Sequence, residues 1–142
     1  MPYQVAEVVA KPLLALRVAD ADTGEPRRMS VHTGEAVLAT QSTGLRIITG
    51  MLPREPCALF VPDARPIEPH ETPVIAQAEA YLCGIVIDGN VQKQAGYGVG
   101  DAAAAYVPDP RGGQMRWLQI TFTVTTLVAV RVGYRVTILT PA

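Results

Sequence analysis

Hydrophobic and polar positions alternate most regularly near the C-terminus. Between Leu118 and Ile138 the even positions read Leu, Ile, Phe, Val, Thr, Val, Val, Val, Tyr, Val and Ile, so ten of the eleven are apolar. The odd positions include Gln119, Thr121, Thr123, Thr125, Arg131, Arg135 and Thr137. A period of two puts one face in a core and the other in water, and the β-branched content favours strand over helix. As a single strand the run would reach about 70 Å at ~3.3 Å per residue, too long for a small domain. The pattern therefore predicts a break, either near Thr125-Thr126-Leu127 or at Gly133, where a bend costs little.

Shorter strands are predicted upstream. Tyr3–Val9 and Leu13–Ala19 flank Lys11-Pro12, and the run Asp20–Pro26 has the turn chemistry to join the second of them to Arg27–Thr33 as a hairpin. Ala36–Thr40, Leu45–Thr49 and Cys57–Val61 read as further strands. Pro62, Pro66, Pro69 and Pro73 then stiffen a loop and exclude it from a central sheet. Residues 72–83 are ambiguous. Thr72-Pro73, then Val74, Ile75, Ala78, Tyr81 and Leu82 before Gly84, match a capped amphipathic helix, while a strand continuing through Ile87 is the favoured alternative. Phe60–Pro66 echoes Tyr106–Gly112, as two similar halves of a sandwich or barrel would, or as turn chemistry repeated by chance.

These elements make one all-β domain over residues 1–142, a sandwich or barrel-like fold with Pro/Gly-rich loops and at most one short helix. Composition adds a reason to look for partners. Apolar residues make up 49% of the chain and charged ones 18%, against a usual charged share of about 25%. The apolar surplus goes either into an Ala/Val-rich core or into self-association. A net charge of −1, with no basic cluster longer than Arg27-Arg28, lacks the electrostatic footprint of a nucleic-acid binder. The longest uncharged apolar run falls far short of the ~20 residues that span a bilayer. No basic start and apolar stretch mark a secretory signal, so synthesis in a reducing cytoplasm is expected. Cys57 and Cys83 match no zinc or redox spacing, and each sits in an apolar run that predicts a buried thiol.

Candidate chemistry is sparse. No GxSxG elbow surrounds Ser30 or Ser42. Ser30 and His32 share a strand face, but nothing adjacent supplies an orienting acid, and His32 reads as a surface or edge residue. Asp63, Glu68, His70 and Glu71 suit divalent ions chemically, yet lie irregularly on one loop and read as solvated. Gly96–Asp101 is GxGxG, without the features of a nucleotide loop. Arg131 and Arg135 share the polar face of the last strand, where they either guard an edge or pair with acids on a partner. No catalytic, cofactor-binding or metal-binding residue is assigned.

A small Ala/Val/Thr-rich β-domain with Pro-Asp loops (Pro62-Asp63, Pro108-Asp109) and an arginine-bearing final strand resembles the head decoration, or cement, proteins and other small virion proteins of tailed bacteriophages. The resemblance implies a non-enzymatic protein, without cofactors, that binds the outside of a capsid lattice and stabilises the shell. Its partners would be itself, as a homo-oligomer, and a major capsid or other assembly protein, with neither nucleic acid nor membrane involved. Its place would be the virion after synthesis in a host cytoplasm, or the cytoplasm if the chain is not viral. The candidate contact surfaces are Tyr3–Val9 and Pro62–Pro73. From a different class, a small β-barrel enzyme or ligand-binding domain would build its site from loop groups such as His70, Glu71, Tyr97 and Asp101.

Overall fold

The alternating C-terminal run divides into two strands that belong to different sheets. The computed structural model describes residues 3–40, 55–85, 98–110, 112–125 and 130–141. These form β1 (Tyr3–Ala10), β2 (Leu14–Ala19), β3 (Pro26–Thr40), β4 (Glu55–Phe60), β5 (Val74–Ile85), β6 (Gly98–Pro108), β7 (Arg116–Thr125) and β8 (Val130–Pro141). No helix occurs among the described residues. The break therefore falls between Thr125 and Val130, at residues outside those described, and Gly133 stays inside β8.

The larger sheet runs β1-β3-β8-β5, with β2 continuing the β1 edge along the other half of β3. The smaller sheet is β4-β7-β6. Every pairing within them is antiparallel. The two layers pack as an open sandwich, since no ladder joins the two sheets among the described residues. Of the two expected architectures, the sandwich is the one formed.

Parity explains the core. Leu118, Ile120, Phe122 and Val124 of β7 are buried, and so are Val130, Val132, Tyr134, Val136 and Ile138 of β8. One period-two signal thus lines both inner faces. Ala36 and Leu38 of β3 and Cys57 and Leu59 of β4 complete the cluster. Each large side chain buried this way contributes about 1.5–3 kcal/mol.

The ambiguous segment is strand β5, and its helix-like spacing has a local cause. Bulges after Ile75 and after Leu82 each insert an extra residue against β8. Ile75 pairs with Ile138, while Ala78 and Ala80 pair with Val136 and Tyr134. The first inward step is therefore three residues, which imitates a helix, before alternation resumes. The predicted hairpin at Asp20–Pro26 forms: Asp20 Oδ1 accepts the N–H groups of Asp22 (2.9 Å) and Thr23 (3.2 Å), and Gly24 takes a φ of 72°. Ala36–Thr40 is not a separate strand but the second half of β3.

The sequence echo does not mark equivalent halves. Phe60 at the end of β4 is exposed, whereas its counterpart Tyr106 packs against the core from β6. What repeats is turn chemistry. The expected strand at Leu45–Thr49 and the stretch Val86–Asn90 lie outside the described residues.

Candidate functional site

Two polar residues that looked unrelated in sequence meet where the proline-rich loop folds over the sandwich. His32 shares the inward parity of Ala36 and Leu38 and lies on β3, which is paired on both sides. It is only 5% exposed, which corrects the expected surface or edge position. The loop is anchored by three inward side chains, Val61, Ala64 and Ile67, all buried. Reciprocal backbone bonds between Ile67 and Arg116, at 2.9 and 2.8 Å, pin it to the start of β7. That anchoring holds Asp63 with its Oδ1 3.2 Å from His32 Nδ1.

Tyr134 reaches the same region from β8. Its hydroxyl lies against Gly34, where an added Cβ would overlap both that hydroxyl and the Val9 carbonyl oxygen. Burial, and then the negative charge of Asp63, push the Tyr134 phenol up to about 12. Neither Tyr134 Oη nor the buried Asp63 Oδ2 has a hydrogen-bond partner among the described residues. Such groups cost about 1–3 kcal/mol each when buried. A phenol shifted this far gives up no proton near neutrality. Ser30 shares the inward face, with no hydrogen bond to His32 among the described residues. The cluster ties the loop to the larger sheet and presents no open nucleophile.

The remaining loop groups do not converge on it. Glu71 accepts the Glu68 N–H at 2.8 Å and pairs with Arg65 at 3.0 Å, so it organises its own loop. These bonds, the backbone one first, hold its carboxyl below the ordinary value. His70 faces Glu68 at 3.3 Å, and both are exposed. Asp101 sits at a bulge of β6 with a φ of 54°, its Oδ2 3.2 Å from Thr123 Oγ1. Gly96, Tyr97 and Ser42 lie outside the described residues, while Gly98–Asp101 form the start of β6. Among the described residues no group of three or more His, Cys, Asp or Glu side chains could hold a metal ion.

No family model, curated protein or solved structure matches the chain.

The outer face of the larger sheet, turned away from the smaller one, has two contrasting ends. At one end Glu35 pairs with Lys11 (3.2 Å) and Arg131 (3.7 Å), and Arg135 pairs with Glu79 (3.9 Å). Arg131 and Arg135 thus find acids in their own chain, and β8 is an interior strand with no edge to guard. Cys83, the extra residue of a β5 bulge, lies near this end. It is exposed rather than buried as expected, while Cys57 is buried, and neither forms a disulfide. Partial burial of its sulfur, then the Glu35 carboxylate, push its thiol up and lower its reactivity.

At the other end the face is apolar. Cross-strand register lines up Leu16, Met29, Leu139 and Val74 on four neighbouring strands. Leu16 is 44% exposed and Val74 53%. Leu14, 51% exposed, stands beside Leu16 on the same face. The smaller sheet covers the opposite face; within the row Met29 and Leu139 are half-buried, beside the buried Val31 and Thr137 of the same face, so the exposure is greatest on the outer strands β2 and β5. Sequence reading missed both features. Asp63 and His32 are 31 residues apart with no shared motif, and the apolar row exists only once four strands are in register.

Proposed function

We propose that the protein is a non-enzymatic assembly component of the capsid-decoration kind, which covers its exposed sheet surface with further copies of itself and with a shell protein. The observation that supports this reading most strongly is the apolar row Leu16–Met29–Leu139–Val74 on an open sheet face. Contiguous apolar surface of this kind marks protein contacts more often than scattered single residues do. Its occupant in the homo-oligomer is the same face of a second copy, since a two-fold axis makes one patch complementary to itself. Repetition over a symmetric lattice then adds many modest contacts into a large stabilisation.

The alternative site built from His70, Glu71, Tyr97 and Asp101 gains no support from the described residues, because His70 and Glu71 are engaged within their loop and Asp101 stands at Thr123, while Tyr97 lies outside those residues. Native mass by light scattering at micromolar concentration tests the proposal. A closed dimer, trimer or larger species that falls to monomer in Leu14→Thr/Leu16→Thr supports it. A monomer throughout the micromolar range contradicts it.

A further inference from the structure

We propose that the open edge of β2 takes up an extended acidic segment of a partner protein as an added strand, with its carboxylates facing Arg17 and Arg28. This rests on the assembly reading and names the chemistry of the partner, a shell protein carrying such a segment.

The first observation is a like-charge pair. Arg17 and Arg28 stand directly opposite each other in the β2–β3 register, an arrangement that is unfavourable by itself. Both are exposed, and neither has an acidic partner among the described residues. Other cations of the same sheet do have one: Arg27 faces Asp20 at 3.8 Å, Lys11 and Arg131 face Glu35, and Arg135 faces Glu79. The unmatched pair lines a cleft of about 310 Å³ together with Ala15 and Leu16. Two guanidinium forks side by side fit carboxylates better than any neutral group.

The second observation is the edge itself. Among the described residues β2 pairs with β3 alone, so its other side offers unpaired N–H and C=O groups. No proline or bulge interrupts Leu14–Ala19. An incoming strand would alternate its side chains between the two faces. Those on the arginine face meet Arg17 and Arg28, and those on the other face meet Leu14 and Leu16. The matching sequence is therefore an alternation of acidic and apolar residues. A second copy of β2 paired with Arg17 opposite its own counterpart would line up four arginines, which disfavours that self-pairing. A net charge of −1 gives no general attraction to acids, so recognition here is local.

The test titrates the isotope-labelled full chain with a short peptide alternating glutamate and valine, followed by NMR and calorimetry. Saturable shifts confined to β2 and to the Arg28–Thr140 row are expected. Arg17→Ala/Arg28→Ala should weaken binding about tenfold or more, with the Lys/Lys double variant in between. A peptide with glutamine for glutamate should bind as poorly as the alanine variant does. Both sites are exposed, so the variants should keep the wild-type spectrum elsewhere. Absence of binding, equal binding of the glutamine peptide, unchanged affinity in the variants, or tighter binding of a single-stranded oligonucleotide would each overturn the proposal. If the peptide fails while light scattering shows an assembled species, the acidic-strand site falls and the assembly reading stands. If the peptide binds a chain that is monomeric alone, the site stands and the self-association falls.

Discussion

Strand β8 alternates Val130, Val132, Tyr134, Val136 and Ile138 with other residues and buries all five, whereas β2 carries Leu14, Leu16 and Val18 in the same rhythm and leaves both leucines about half exposed. The sequences are of one kind, and the difference lies in placement. β8 runs between β3 and β5 with the smaller sheet over its apolar face. β2 is an edge strand whose apolar side points away from that sheet. Alternation fixes which face is apolar, while the second layer decides whether that face is covered.

Substitutions at the two strands should separate them sharply in urea unfolding. Ile138→Ala, at a fully enclosed site, should cost about 2–5 kcal/mol, while Leu16→Ala should cost less than about 0.5 kcal/mol. At dilutions where the chain is monomeric, comparable costs would mean that β2 is covered within the monomer. Gly34→Ala comes next, at about 1–3 kcal/mol, because its Cβ meets the Tyr134 hydroxyl and a backbone oxygen that cannot swing aside. Gly24→Ala, open in space but at positive φ, should cost less, roughly 1 kcal/mol.

Tyr134 gives a third, pH-dependent contrast. Burial raises its folded-state pKa from the ordinary 10.0 to about 12, so the folded form holds the proton more tightly than the unfolded chain does. That stabilisation is present below pH 10 and is lost as pH rises toward about 12, by an amount of order 1–3 kcal/mol. Tyr134→Phe should abolish this alkaline loss and leave neutral-pH stability nearly unchanged or improved, since the hydroxyl has no partner among the described residues. The smallest effect belongs to two half-buried surface carboxylates. Asp20 and Glu71 are both held below their ordinary values, chiefly by backbone N–H groups. Their contribution is present above the unfolded carboxylate range and is lost as pH falls through the folded values. Asp20→Asn should flatten that acid limb only slightly.

Much of the fold was legible because it depended on local period and turn chemistry. The alternation of Leu118–Ile138, the Asp20–Pro26 hairpin and the proline loop all follow from neighbouring residues. Residues 72–83 were ambiguous for an equally local reason, since a bulge after Ile75 replaces a two-residue step with one of three. The functional surfaces were less legible. Nothing near His32 announces Asp63, because a loop that must first be anchored by Ile67 delivers it. The apolar row and the Arg17–Arg28 pair likewise depend on register between strands that the chain visits at different times.

On the assembly reading, protein covers the apolar end of the larger sheet in the working state. Hydrogen exchange of the segment Leu14–Ala19, measured across a range of protein concentrations, tests it most directly. Protection of that segment should rise with concentration in step with native mass and disappear in Leu14→Thr/Leu16→Thr, while β8 stays protected throughout. Exchange in β2 that is fast and independent of concentration, in wild type and variant alike, would contradict the account.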